Sequence, residues 1–353
     1  MDTLQKSLDT KIDRIRSDPS CRDFILVDAK DADMAFGLAA PGTSSEPIAE
    51  SQTFRTIESY REQILGIVED GHIDIMLMSA STNAQLTIDW QIFKSSSVTP
   101  AVRMNDTTDI WLSAGTGSYP TQPPLPFSTC TIKEAQHGWN PVEEKTNATK
   151  SDTVPGANLG LFSLTLNDQA SVDQPILNAY KNFRLDAEQS KFKHFLEIFY
   201  PNCHESRSQI PDLDRFIADQ ATRCLAGIPH KNRPLFLKIP YLRPAVMEQL
   251  AAYDKSLIIG VLGGSSGTTC DAFTLAANAK KYGARAAIFG RKINSAEDQR
   301  SFVRFLRAVT DDELSPDEAV RGYHAELKKK SVLPKRELHD DLLQTPRVEP
   351  TGT

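Results

Sequence analysis

The chain has 353 residues, 40% of them hydrophobic and 24% charged, with a formal net charge of −6, the proportions of an ordinary globular protein. The acidic balance excludes a nucleic-acid footprint, since no basic stripe interleaves with aromatics. No apolar run is long enough to span a bilayer as a helix, and the length suits one α/β barrel as well as two smaller domains.

The first twenty residues, MDTLQKSLDTKIDRIRSDPS, are charged throughout and lack the apolar core of a signal peptide. Five cysteines (Cys21, Cys130, Cys203, Cys224 and Cys270) are scattered without a CxxC pair. That usage fits reduced thiols, so a cytoplasmic location is expected. Neither HExxH nor a close His/Cys grouping occurs, so no metal and no cofactor is expected. Residues 3–17 carry an amphipathic helical pattern, expected to pack outside the main domain.

Phe24 to Val27 is a short apolar run, read as a first strand, and Asp28 and Lys30 follow it at once. Asp28 there reads equally as a loop or capping residue. Residues 54–70 repeat Ile57, Tyr60, Ile64 and Ile67 at helical spacing and lead into a second strand at 73–78. A third strand, 99–104, runs into NDTTDIW, whose polar groups suit either substrate hydroxyls or a capped turn. From 112 to 156 the chain is rich in Ser, Thr, Pro, Gly and Asn without a sustained period. A stretch of that kind reads as a functional loop, with His137 and Trp139 as lid or anchor residues. Strands return at 157–166 and 194–199, with helices near 176–190 and 209–226.

The last third is the most regular. PLFLKIPY (234–241), a helical spacer, SLIIGVLGGSSGTT, a second helix and GARAAIFGRKI alternate strand and helix. They supply strands at 234–239, 256–262 and 284–289, bringing the count to eight. Continuous apolar strands alternating with helices imply a parallel sheet covered on both faces. Eight such units close a (β/α)8 TIM barrel, whereas an open doubly wound sheet would need only the same alternation. The expected organisation is an N-terminal helical extension (1–20), one α/β barrel (21–332) with the 112–156 insertion after strand three, and a polar tail (333–353). Ser315-Pro316-Asp317-Glu318 marks a final helix start, and residues from Lys335 onward read as loose.

Barrel chemistry sits at the C-terminal ends of the strands. That rule collects Asp28 and Lys30 from strand one, Glu197 from five, Lys238 from six, the GGSSGTT loop from seven and Arg291 from eight. Lys238 lies between Leu237 and Ile239, where an ammonium is costly unless paired or deprotonated. A neutral amine there would attack a carbonyl and form a Schiff base; the plainer reading is a structural pair with Glu197. Gly263, Gly264, Ser265, Ser266, Gly267 and Thr268 precede a helix and suit an anion, with Gly290 and Arg291 adding a charge-assisted partner. The same glycines would serve a tight βα turn. The loop is not GxGxxG; Arg291 and Lys292 at the end of the next strand leave only a 2′-phosphorylated dinucleotide as a nucleotide alternative.

HFLEIFYP, PLFLKIPY, IIGVLGGSSGTT and GARAAIFGRKI, in this order, resemble the class I aldolases of the tagatose-1,6-bisphosphate aldolase kind. That group includes the archaeal-type class I fructose-bisphosphate aldolases and deoxyribose-phosphate aldolase. The resemblance covers roughly residues 190–295. It implies that Lys238 forms the Schiff base, that Glu197 is the strand-five glutamate, and that Asp28 and Lys30 are the strand-one acid and base. It also implies phosphate binding by Gly263 to Thr268 and by Gly290 and Arg291. Strand four carries Ser163 and Thr165, where the tagatose enzymes have a lysine and the archaeal enzymes a tyrosine, and strand two ends in SASTN without a carboxylate. These departures point away from the usual hexose bisphosphates. The reading is a Schiff-base lyase acting on a phosphorylated sugar or keto compound, with no nucleic-acid or membrane partner and with homo-oligomers compatible. A barrel isomerase or epimerase without a covalent step, and a non-catalytic sugar-phosphate sensor, are the alternatives.

Overall fold

The computed structural model describes residues 5–18, 20–43, 53–108, 122–139, 155–201, 203–264 and 267–345. Among the described residues ten strands follow in chain order: β1 (Ile25–Lys30), β2 (Ile75–Met78), β3 (Thr99–Arg103), β4 (Asn105–Thr107), β5 (Pro126–Ser128), β6 (Leu159–Thr165), β7 (Lys193–Phe199), β8 (Leu237–Ile239), β9 (Ile259–Leu262) and β10 (Ala286–Phe289). Eight of them close a barrel in the order β1-β10-β9-β8-β7-β6-β3-β2, every pair parallel. β4 and β5 pair antiparallel as a separate ribbon that follows β3. The sixth strand of the barrel is therefore β8.

The strands form because they are apolar on both faces. Ile25, Val27, Ile75, Leu77, Leu161 and Phe195 pack together inside the lower barrel. Their neighbours Leu26, Met76, Met78, Leu196 and Ile198 face the surrounding helices. Among these helices, Ile57–Asp70 is typical. Thr56 caps its start by accepting from the Ser59 amide, and Gly71, at φ 68°, ends it. Tyr60, Ile64 and Ile67 supply its buried face. The final helix, Pro316–Lys329, opens with the Ser315–Glu318 capping box expected from its sequence.

Three expectations are corrected. The N-terminal helix, Ser7–Ser17, is no outlying extension: Leu8 and Ile12 pack with the barrel interior and close its N-terminal end. Burying two such side chains contributes about 1.5–3 kcal/mol each. Asp74 fixes the helix by accepting from Ser7 Oγ at 2.7 Å and pairing with Lys11 Nζ at 2.9 Å. The segment after Lys335 is not loose as far as it is described. A short helix, Leu338–Asp341, buries Asp341 against the helix Thr269–Lys281. Finally, β1 runs three residues beyond Val27, so Asp28 and Lys30 belong to the strand itself. Of the 112–156 insertion, residues 122–139, 155 and 156 are described, and 112–121 and 140–154 lie outside the described residues, as does Trp111. Within it, the helix Ile132–His137 is anchored by Asn83 Nδ2 donating to Ala135 O, and Trp139 is exposed.

Candidate active site

Parity along the strands decides which side chains reach the barrel interior. In β1 the inward positions are Ile25, Val27 and Ala29, and the next in that series is Asp31. In β6, β7 and β8 they continue to Ser163, Glu197 and Lys238, which stand side by side in register, with Gly260 of β9 opposite Lys238. A Cβ on Gly260 would come within 2.5 Å of Leu237 O, so the bare backbone permits the close strand approach beside the lysine.

Lys238 Nζ lies 2.5 Å from Glu197 Oε1, and both side chains are buried. The other carboxylate oxygen, Oε2, accepts from Ser163 Oγ at 2.7 Å and from Arg103 Nη2 at 3.4 Å. Arg103, inward on β3, donates from Nε to Asp31 Oδ2 at 2.5 Å and from Nη1 to Ser163 Oγ at 3.0 Å and Asp106 Oδ1 at 3.4 Å. The ribbon holds this wall in place: Asn105 Nδ2 donates to Ser163 O, and Asn105 Oδ1 accepts from Ser163 N. The result is a continuous chain from Asp31 through Arg103 and Glu197 to Lys238.

Charge in that chain is compensated pair by pair. Burial would lower the Arg103 pKa, but Asp106, Asp31 and Glu197 outweigh it and keep the guanidinium firmly charged. For Asp31, burial pushes upward, while Arg103 and Lys238 push harder downward, so the carboxylate stays ionised. Asp106 goes the other way: burial dominates the attraction of Arg103 and lifts it to about 6. Its Oδ2 has no hydrogen bond among the described residues.

Asp28 and Lys30 do not join this group. They alternate with Val27 and Ala29 and stand on the helix-facing side of β1. Lys30 Nζ donates to Gln299 Oε1 at 2.7 Å and Asn294 Oδ1 at 3.4 Å, over the ring of Tyr60. Asp28 Oδ2 is 3.8 Å from Lys30 Nζ, and neither of its oxygens has a hydrogen bond among the described residues. Burial raises the Asp28 pKa to about 6 despite Lys30, and burial lowers the Lys30 pKa despite Asp28. This is a buried polar seam between barrel and helices, outside the barrel mouth.

The expected phosphate loop is also partly committed elsewhere. Thr268 caps the helix Thr269–Lys281 with its hydroxyl and gives its amide to Asp271. The Thr269 amide goes to Asp341 Oδ1 at 2.7 Å, and Thr268 Oγ1 donates to Leu343 O. Two carboxylates therefore already occupy this helix start. Gly263 is explained by packing, because a Cβ there would meet the Phe289 ring at 2.2 Å, and Gly290 by its approach to Ala29 O. Gly267, at φ 89°, makes the turn, while Lys292 Nζ donates to Gly267 O. Ser265 and Ser266 lie outside the described residues. Gly264, at φ 65°, faces open space. Arg291 is half-buried with no ion pair among the described residues; burial lowers its pKa, and Glu197 is the one charge that counters this. What stays free for an anion is Arg291 with the backbone at Gly264.

Asp31 and Arg103 carry no mark in the sequence reading, and Asp106 enters it only as one of the polar groups of NDTTDIW. The DAKDAD run carried the signal for Asp31, since the second inward position after Val27 would be residue 31. Arg103 within TPAVRM, a charge in an apolar strand, is the same signal that singled out Lys238. Among the described residues no group of His, Cys, Asp and Glu is arranged to hold a metal ion. Two surface clefts, of about 380 and 250 Å³, lie around Asp298 and Arg300 on the outer helices, and no barrel-mouth residue lines either.

Fold and site together define an α/β barrel with a buried lysine–glutamate pair at the C-terminal face of its strands. No protein-family model and no curated protein matches the chain. Solved structures do match it. A Schiff-base-forming fructose-1,6-bisphosphate aldolase superposes over 86% of this chain and 100% of its own, with a TM-score of 0.59 and 15% identity. A fructose-bisphosphate aldolase from Slackia heliotrinireducens covers 90% of this chain and 91% of its own (TM-score 0.60, 15% identity). An archaeal fructose 1,6-bisphosphate aldolase covers 86% and 99% (TM-score 0.57, 15% identity). Class I aldolases of archaeal type are thus structural neighbours that share the barrel, at an identity that carries the fold alone.

Proposed function

We propose that this chain is a Schiff-base lyase of class I aldolase type that cleaves or forms a carbon–carbon bond in a phosphorylated sugar or keto compound. The observation that carries the reading is the 2.5 Å contact between Lys238 Nζ and Glu197 Oε1 inside the barrel. Glu197 can take a proton from the ammonium, leaving a neutral amine to attack the substrate carbonyl. The same carboxyl then returns that proton to the carbinolamine hydroxyl, which leaves as water and yields the iminium. Ser163 and Arg103 hold Glu197 in line for both transfers.

The iminium draws the bonding electrons as the carbon–carbon bond breaks, and a base must remove the proton of the hydroxyl that becomes the new carbonyl. Asp31 suits that role in place of Asp28, because it is ionised and lies on the barrel side with Arg103. Arg291 is the anion partner in this scheme. Borohydride reduction in the presence of candidate ketose phosphates, followed by peptide mass mapping, is the test. A reduced adduct on Lys238 is expected. Turnover retained by Lys238→Met would instead support an isomerase working through carboxyls alone.

A further inference from the structure

The barrel mouth is electrically lopsided. On the β9–β10 side, Arg291 has no ion pair among the described residues, and the turn at Gly264 is open. On the β1–β3 side carboxyls gather around Arg103: Asp31, Asp33 and Asp106, with Glu197 behind them. Asp33 Oδ2 accepts from Ser79 Oγ at 2.5 Å and Thr82 Oγ1 at 3.3 Å, while its Oδ1 is buried without a hydrogen bond among the described residues. Asp106 Oδ2 is in the same condition on a side chain that is 1% exposed. Burial raises the pKa of Asp33, as it does that of Asp106.

The buried cation on that side, Arg103, is spoken for. Arg103 donates from Nε, Nη1 and Nη2 to Asp31, Asp106, Ser163 and Glu197. Arg61, on the helix Ile57–Asp70, has no ion pair among the described residues and donates from Nη2 to the exposed Ser81. A phosphate dianion placed against Asp31, Asp33 and Asp106 would meet like charge in a poorly solvated setting, beside an Arg103 already committed to carboxylates. Sugar hydroxyls, by contrast, can both donate to and accept from carboxyls of this kind.

We infer that the site takes a keto compound with a single phosphate, bound toward Arg291, whose other end is neutral and hydroxylated and is recognised by Asp33 and Asp106. A bisphosphate, the ligand class named for the solved barrels of this shape, is disfavoured at the second phosphate. The inference deepens the lyase reading and rests on its choice of mouth and anion end, but it concerns binding and can be tested apart from the chemistry.

The experiment uses the full chain carrying Lys238→Met, which cannot form the covalent adduct, and calorimetric titration at pH 7.5. The probes are matched monophosphate and bisphosphate pairs of ketopentoses and ketohexoses. At least one monophosphate should bind, about tenfold or more tighter than its bisphosphate. Asp33→Asn with Asp106→Asn should narrow that gap by improving bisphosphate binding. A bisphosphate that binds as well as its monophosphate overturns the inference, and so does failure of every monophosphate to bind. Borohydride labelling of the unsubstituted protein separates the two claims. A Lys238 adduct formed equally with both members of a pair leaves the lyase reading standing without the inference. Monophosphate-selective binding with no adduct leaves the inference standing without the lyase.

Discussion

Asp28 and Asp31, three residues apart at the end of one strand, point to opposite sides of the barrel wall. Asp31 accepts from Arg103 inside the mouth; Asp28 lies behind the strand with Lys30. Odd separation along a β-strand changes the face, so one of them can serve the barrel interior and the other cannot. Asp31→Asn should lower kcat by about 10²-fold or more, the usual worth of a positioned proton-transfer group. Asp28→Asn should leave kcat per folded molecule within about fivefold. Steady-state rates on the best substrate from the carbonyl panel decide it, and equal losses in both variants would remove Asp31 from its proposed role.

The seam behind β1 has its own energetics. Lys30 is fully buried and held by Gln299 and Asn294, with Asp28 as its charge partner. Removing one member of a buried pair strands the other, at about 3–5 kcal/mol, whereas replacing both by apolar groups of similar size is often neutral or stabilising. Lys30→Met alone should therefore destabilise by that amount. Asp28→Leu with Lys30→Met should recover most of the loss in urea denaturation. A double variant as unstable as the single would mean that Asp28 is not what the lysine compensates.

Glu197 is proposed to act twice, and its amide analogue separates position from proton transfer. Glu197→Gln keeps an acceptor toward Ser163 Oγ and Arg103 Nη2 but cannot carry the proton from Lys238. Borohydride trapping at Lys238 should become slower by about 10²–10⁴-fold while binding of the ketose phosphate changes little. An unchanged trapping rate would assign Glu197 to structure only.

Much of this was legible beforehand, and what was not has two physical causes. All eight barrel strands are readable as apolar runs because a parallel sheet covered on both faces needs them. That same covering hides the in–out parity: Leu26 and Val27 look alike in sequence, although one meets helices and the other the barrel interior. Without parity, Asp28 and Lys30 look as good as Asp31. Lys238 and Glu197 escaped the ambiguity because each is a charge in the apolar middle of its strand, on adjacent strands of equal register. The glycine loop misled differently. Its composition fits an anion cradle, but Asp341, some seventy residues later in the chain, fills the helix start, and no local pattern announces that contact.

Asp341 and Asp106 give opposite pH signatures, which tests both assignments at once. Burial acts against ionisation of Asp341, but the Thr269 amide and His324 prevail and hold its pKa below the ordinary carboxylate range. A depressed folded-state pKa contributes stability above the unfolded value and loses it as pH falls. Asp341→Asn should cost about 1–2 kcal/mol at neutral pH, the scale of a lost helix-terminal carboxylate, and the deficit should shrink on acidification. For Asp106, burial lifts the folded pKa to about 6 from an ordinary 3.8. Its favourable contribution is present in full below the unfolded value and is lost as pH rises through about 6. The difference of roughly two pH units corresponds to about 3 kcal/mol. Asp106→Asn should then be neutral near pH 4 and stabilising by up to that amount at pH 7.5, with the gain appearing between those limits. Urea midpoints of both variants across pH 4–8 read out the two slopes together. Parallel slopes would mean that burial does not raise the pKa of Asp106 in the folded chain.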